Sequence, residues 1–291
     1  MATTDIKTEL IHCVECGDIY RIKDIFKYMT IDINILNDVF TIAAKNGQLE
    51  IMKFLKSRGA PVYTCALESA AEHGQTDALN LIKEWMDVTF SLSHALSCAA
   101  KNGQIETMKI IKGWDIINLD YNYAITHAAA HDQIEAMKLL KEWGATNYDH
   151  ALRNAAAYGQ IEAMKLLKEW GATNYDASLM RASEFGQTEA INLLKKWGAT
   201  DYNTALIYAA IGGHISTMKL LKKMGATIYN TALAYASENG HLTAMTLLKD
   251  WGAVEYNWAL NRARQKNQQN AVHLLMEWGA VENYTTYDKV F

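Results

Sequence analysis

A glycine, or a residue able to stand in for one, recurs ten times along this 291-residue chain at an interval that becomes fixed. The marks are Gly17, Gly47, Gly74, Gly103, Asp132, Gly159, Gly186, Gly213, Gly240 and Asn267, spaced by 30, 27, 29 and 29 residues and then by 27 five times. A period of this length means one supersecondary unit stacked on copies of itself, because such a unit cannot bury its apolar face alone. A chain built this way presents an extended surface rather than a pocket. Length alone suggests two globular domains; the period overrides that and predicts one elongated domain.

The stretch Asp149 to Tyr175 shows what one unit contains. A first helix is expected over about 150–158, with Ala151, Leu152, Ala155 and Ala156 on one face and His150, Arg153, Asn154 and Ala157 on the other. Small residues on the inner face let helices approach closely. Asp149 reads as the N-cap, as do Asn122, Asp176, Asn203, Asn230 and Asn257 at the equivalent places, each worth about 1 kcal/mol. Gly159 then lets the chain reverse through a left-handed residue, and Asp132 and Asn267 fit because Asp and Asn tolerate that conformation best after Gly. A second helix over about 160–170 carries Ile161, Ala163, Met164, Leu166, Leu167 and Trp170 on its apolar arc, and Gly171 stops it. Helices this short are unstable alone, so stacking is obligatory.

These residues resemble the ankyrin repeat. The shared elements are Leu152, Ala155, Ala156, Gly159, Glu162, Leu166 with Leu167, and Gly171 with Ala172; nine units keep most of the pattern between about Asn37 and Ala280. The resemblance implies an all-α, ankyrin-type helical solenoid of about ten helix-turn-helix units. Ankyrin repeats usually run about 33 residues, with a turn ahead of the two helices. Here six residues are missing after Gly-Ala, and Pro61 is the one proline of the chain. The projecting β-hairpin of the family is therefore expected to be reduced or absent, leaving a tight linker such as Ala172 to Tyr175. This short-period form is similar to arrays found in large DNA viruses of amoebae, which implies a viral protein acting on host proteins in the host cytoplasm. Residues 133–149 and 160–176 are the same string, as tandem duplication produces. The expected organisation is an N-terminal capping repeat over 1–30, the array over 31–280 and a C-terminal tail over 281–291.

Three ladders run through the array. Trp85, Trp114, Trp143, Trp170, Trp197, Trp251 and Trp278 share one position and are expected to pack on the apolar arc, filling space that a hairpin would otherwise cover, each contributing roughly 1.5–3 kcal/mol if buried. Tyr148, Tyr175, Tyr202, Tyr229 and Tyr256 are expected to pack in the linker. Lys56, Lys83, Lys112, Lys141, Lys168, Lys195, Lys222 and Lys249 stand at the end of the second helix, where they complement the negative helix terminus better than they would track phosphates.

The net charge of −4 gives no global attraction to nucleic acid or to an anionic membrane, and no apolar run approaches the roughly 18 residues that span a bilayer. The polar start is no secretory signal, and four cysteines confined to the first third fit reduced thiols in an intracellular protein. Cys13 and Cys16 lack a second ligand pair, and His127 and His131 lack a further ligand in an obvious place, so no metal site and no cofactor are expected. No catalytic motif appears, and a non-enzymatic scaffold for a protein partner, itself a monomer, is the expected function. Outward positions of the first helices turn apolar late in the array, at Met180, Ile207, Tyr208, Ile211, Tyr235 and Trp258, which marks a partner-binding strip. The alternative is a structural component that self-associates or belongs to a virion.

Overall fold

The computed structural model describes residues 3–61, 64–85, 92–114 and 119–281. The tail beyond Val281 therefore lies outside the described residues. Among these there are twenty α-helices and no strand, so the chain is all-helical and built of helical pairs without hairpins. Two compact units emerge, Met1–Asn147 and Tyr148–Phe291. The first holds α1 (Thr3–Glu15), α2 (Ile19–Tyr28), α3 (Ile33–Lys45), α4 (Leu49–Ser57), α5 (Thr64–Glu72), α6 (Thr76–Trp85), α7 (Leu92–Lys101), α8 (Ile105–Lys112), α9 (Tyr121–Ala130) and α10 (Ile134–Glu142). The second holds α11 (Tyr148–Ala157), α12 (Ile161–Glu169), α13 (Tyr175–Glu184), α14 (Thr188–Trp197), α15 (Tyr202–Ile211), α16 (Ile215–Lys223), α17 (Tyr229–Glu238), α18 (Leu242–Asp250), α19 (Tyr256–Gln265) and α20 (Gln269–Glu277).

Within each unit, successive first helices lie side by side in close contact, each resting on the second helix of its own pair, while successive second helices touch only slightly. Alanine makes this possible: Ala151, Ala155 and Ala156 on α11, and Ala205, Ala209 and Ala210 on α15, are fully buried and let the backbones approach. Larger groups, such as Leu152, Met164 and Leu167, fill the space between the two helix layers. Ala157, expected on the outer face, is also fully buried, because side-by-side packing of the first helices narrows the exposed stripe.

All ten marks adopt positive φ, between 66° and 74° for the glycines and 56° for Asp132 and Asn267. Gly159 has a second reason to lack a side chain. An added Cβ would stand 2.6 Å from Gln187 Oε1, since the residue after the next mark lays its side chain across this turn. Gly159→Ala is expected to lower the urea-unfolding free energy by roughly 1–3 kcal/mol, and Gly159→Asn by less, because Asn adopts the left-handed region more readily.

The helix starts differ from the sequence expectation. The first helices begin at the tyrosine, one residue ahead of the expected cap, so Asp149 and its equivalents lie in the first turn. Capping falls two residues earlier: Asn174 Oδ1 accepts from the Ala177 N–H at 3.3 Å and Asp201 Oδ1 from Thr204 at 3.0 Å. Asp149 instead reaches forward into the next linker, its Oδ1 accepting the backbone N–H groups of Thr173 and Asn174 at 2.7 and 2.8 Å. Asp176 does the same for Thr200 and Asp201, and Asn230 for Val254 and Glu255. Asn203 holds Thr227, Asn257 holds Val281, and in the first unit Asn122 holds Thr146 and Asn147. Ser93 Oγ takes the Asp120 N–H at 2.9 Å, the equivalent bond across a linker two residues longer. A side-chain oxygen thus satisfies linker N–H groups that have no strand to pair with.

The ladders also interlock in a way that spacing did not reveal. Each Trp of the ladder is half-buried at the C-terminal end of the second helix. Trp85 meets Phe40 of another pair at 6.2 Å, whereas from Trp143 onward the ring meets the first-helix tyrosine of the same pair, with centroids 5.6 Å apart for Tyr148 and Trp170 and 5.7 Å for Tyr175 and Trp197. A lysine of the preceding pair then covers it: Lys168 Nζ lies 4.9 Å from the Trp197 centroid, Lys222 4.6 Å from Trp251 and Lys249 4.6 Å from Trp278. The lysines are therefore links between pairs as well as charges at helix ends, each cation–π contact worth about 0.5–1 kcal/mol at an exposed site.

Candidate functional site

Close packing of the first helices in the second unit places one residue from each at equivalent positions: Asn154, Arg181, Tyr208, Tyr235 and Arg262. Tyr208 and Tyr235 are half-buried, as are Met180, Ile207 and Ile211, while Trp258 is 38% exposed. Five of the six residues expected to bind a partner thus lie low on the face, and Trp258 stands furthest out. Met180 and Ile207 occupy matching places on α13 and α15, and Ile211 is one turn beyond Ile207 on α15. Trp258 lies one turn before Arg262 on α19.

Ion pairs frame this apolar floor. On α13 Arg181 pairs with Glu184 and lays its guanidinium 4.8 Å from the Phe185 centroid. Between α17 and α19, Arg262 Nη2 lies 2.6 Å from Glu238 Oε2, with the side chains only 27% and 17% exposed, and its guanidinium covers Tyr235 at 4.4 Å. That contact is ionic rather than a directed hydrogen bond, and the buried Arg262 Nε–H has no acceptor among the described residues. Lys266 Nζ stands 4.0 Å from the other oxygen of Glu238. Helix α15, between these frames, carries no charged residue.

Sequence reading missed Tyr158 and Phe185. They are 53% and 40% exposed, with ring centroids 6.0 Å apart, at the last residue before two successive marks. An aromatic in front of the turn glycine in two consecutive repeats was the available signal. At the next such place Gly212 ends the column, with the His214 side chain lying against it.

The first-helix face of the first unit has a different chemistry. His94 Nδ1 lies 3.5 Å from a Glu68 oxygen and its ring stacks on Tyr123 at 5.3 Å, while Tyr123 meets the His127 ring at 4.6 Å. His131 Nδ1 lies 3.1 Å from the His127 carbonyl oxygen. Among the described residues no group of three or more His, Cys, Asp or Glu is placed to hold a metal, and the four cysteines are free. Shallow grooves of about 380 and 500 Å³ lie on the second helices of the second unit, lined by residues such as Lys165 and Asn192, and Leu242 and Leu247. No described helix is long and apolar enough to cross a membrane.

Burial, reinforced by Glu68 and Glu72, pushes the Cys98 thiol up to about 11, and burial likewise raises Cys13. The fold thus favours the protonated Cys98, and its stability falls as pH rises from 9 towards 11, where the unfolded thiol ionises first. Alkylation requires the thiolate. With iodoacetamide at pH 8 and peptide mass mapping, exposed Cys16 is expected to be modified first and Cys98 to lag by at least about tenfold.

A family model described as ankyrin repeats (3 copies) matches residues 179–257. The matched segment contains Met180, Ile207, Tyr208, Ile211 and Tyr235, and Trp258 follows directly. A comparison with curated proteins returned no match. Repeats of this family generally mediate contacts between proteins, and the helices within residues 179–257 stack pairwise as a helical solenoid of that type does.

Proposed function

We propose that this chain is a non-enzymatic protein-interaction scaffold that holds its partner on the first-helix face of the second unit. The observation carrying this reading is the run of Met180, Ile207, Tyr208, Ile211, Tyr235 and Trp258 on successive contacting helices, within or beside the matched repeats. Aromatic and aliphatic groups that lie low between ion pairs provide the desolvated centre and polar rim that protein interfaces use. Linkers pinned by Asp or Asn carry no projecting hairpin, which leaves the helix faces as the contact surface. Resemblance of the short-period unit to arrays in large DNA viruses of amoebae supports a host protein as the partner and the host cytoplasm as the place. The scaffold acts as a monomer in this reading.

The Tyr208→Ala, Tyr235→Ala double variant is expected to lose partner capture by about tenfold or more, with the helical circular dichroism signal retained. Equal capture by the double variant would refute the face. Sedimentation velocity of the wild type is expected to show a monomer; a dimer that Tyr208→Ala dissociates would make the same face a self-assembly surface instead.

A further inference from the structure

One outward position of the second helices changes sign along the chain. It holds Glu142 and Glu169 on α10 and α12, Lys196 and Lys223 on α14 and α16, and Asp250 and Glu277 on α18 and α20. One turn earlier, Lys138 of α10 and Lys165 of α12 each pair at 2.7 Å with the glutamate three residues before them. On α16 Ser216 stands in place of that glutamate, so Lys219 lacks it. Over α14 and α16 with the linkers that follow them, residues 188–201 and 215–228, the bases are Lys195, Lys196, Lys219, Lys222 and Lys223 and the acids are Glu189 and Asp201. Asp176, which holds the linker after α14, adds one acid, and cations remain in excess with it counted. The flanking helices carry no such excess: Glu162 and Glu169 balance Lys165 and Lys168 on α12, and Asp250 and Glu255 outnumber Lys249 on α18 and its linker.

The fold accounts for two of the five lysines. Lys195 and Lys222 stand at the ladder position, 6.0 Å from the Tyr202 centroid and 4.6 Å from that of Trp251, and they complement the negative helix end. Lys196, Lys219 and Lys223 are exposed, and among the described residues they have neither an ion-pair partner nor a ring beneath them. Lys219 and Lys223 are four residues apart on one helix, a spacing at which like charges repel, and no contact within the fold offsets this. All three belong to a surface with apolar ground beside it: Lys196 borders the groove of about 380 Å³ with Ile161 and Leu193, and Lys219 the groove of about 500 Å³ with Ile215, Leu242 and Leu247.

We infer that α14 and α16 form a second docking surface, on the second-helix layer, and that its occupant is a short acidic segment of a protein. Carboxylates of the segment meet Lys196, Lys219 and Lys223, and its apolar side chains settle in the adjoining grooves. The surface shares no residue with the first-helix face and stands independently of it; with both occupied, the scaffold joins two proteins. Lysine is the only base here, with no arginine between 188 and 228 to fork onto a phosphate. The patch is also narrow, two helices with axes roughly 10 Å apart. A longer phosphate backbone or an anionic membrane would lie against Glu169 on one side and Asp250 on the other, whereas a short acidic segment avoids both.

The test is selection of a randomised display library on the full chain, with peptides of about twelve residues, which span at most about 40 Å when extended. A class of enriched peptides is expected to carry several Asp or Glu beside Leu, Ile or Phe, and to lose about tenfold or more in affinity to the Lys196→Gln, Lys219→Gln, Lys223→Gln triple variant, with the helical circular dichroism signal retained. Tyr208→Ala is expected to leave that class untouched. Lys53→Gln, Lys109→Gln, Lys138→Gln removes the same charge from lysines that face glutamates in the first unit, and is expected to cost less than about twofold. Enrichment without an acidic class, or an acidic class indifferent to the first triple variant, would overturn the inference. Equal losses in the two triple variants would overturn it as well, since the whole chain's field rather than this surface would then hold the peptides. Acidic peptides that need Tyr208 and not the three lysines would overturn it and leave the first-helix face standing. Tighter capture of a single-stranded oligonucleotide or of phosphatidylserine vesicles than of the selected peptides would also overturn it.

Discussion

A single side-chain oxygen, thrown forward from the first turn of one helix to the linker of the next repeat, is the contact on which the short period depends. A unit of 27 residues has no room for a hairpin, and a linker without a hairpin has backbone N–H groups with no strand to receive them. Asp149, Asp176 and Asn230 each accept two such groups from residues 24 and 25 positions further on. Asp and Asn interchange at this place because each presents the same carbonyl-type oxygen on a short stem. Ser93 supplies a hydroxyl oxygen instead and still finds the equivalent residue across a longer linker.

Around that contact the other recurring residues form a second set of links. In the later repeats the tyrosine opening a first helix meets the Trp closing the second helix of its pair, and a lysine of the preceding pair covers the Trp ring. The turn glycine has positive φ and is crossed by the Gln or His of the next repeat. The tyrosine–tryptophan contact ties the two helices of one pair together, the lysine and the Gln or His side chains join one pair to the next, and alanine-mediated packing joins the first helices themselves. Residues free to vary without breaking any link are those on the outer stripe of the first helices. In the second unit this stripe is aromatic and aliphatic and framed by arginine, whereas in the first it mixes His94, Tyr123 and His127 with Glu68.

Helix positions, turns and core were legible because each rests on a local rule that a sequence displays openly: left-handed residues at the marks, apolar residues at helical spacing, small residues where helices touch. The strut was not legible. Asn174 and Asp176, or Asp201 and Asn203, are equally good capping types two residues apart, and nothing in their order tells which oxygen turns back to its own helix and which reaches forward. The depth of the tryptophans was hidden for a related reason: an apolar arc shows which way Trp170 points, while its actual neighbours are a tyrosine from the same pair and, at equivalent rungs, a lysine from another. The strip was legible as a change from polar to apolar at Met180 through Trp258. Its frame was missed because Arg181 with Glu184, and Glu238 with Arg262, read as ordinary surface charges until packing brings them over Phe185 and Tyr235.

Amide hydrogen exchange resolved at single residues tests the strut most directly. In the wild type the Thr200 and Asp201 N–H groups, both held by Asp176, should exchange slowly for linker positions. In Asp176→Ala both are expected to speed up by about tenfold or more, while the neighbouring Ala199 N–H, bonded to the Leu194 carbonyl at 3.0 Å, keeps its rate. Free-peptide exchange at Thr200 and Asp201 in the wild type, or rates unchanged by the substitution, would show that something other than the Asp and Asn oxygens holds the linkers.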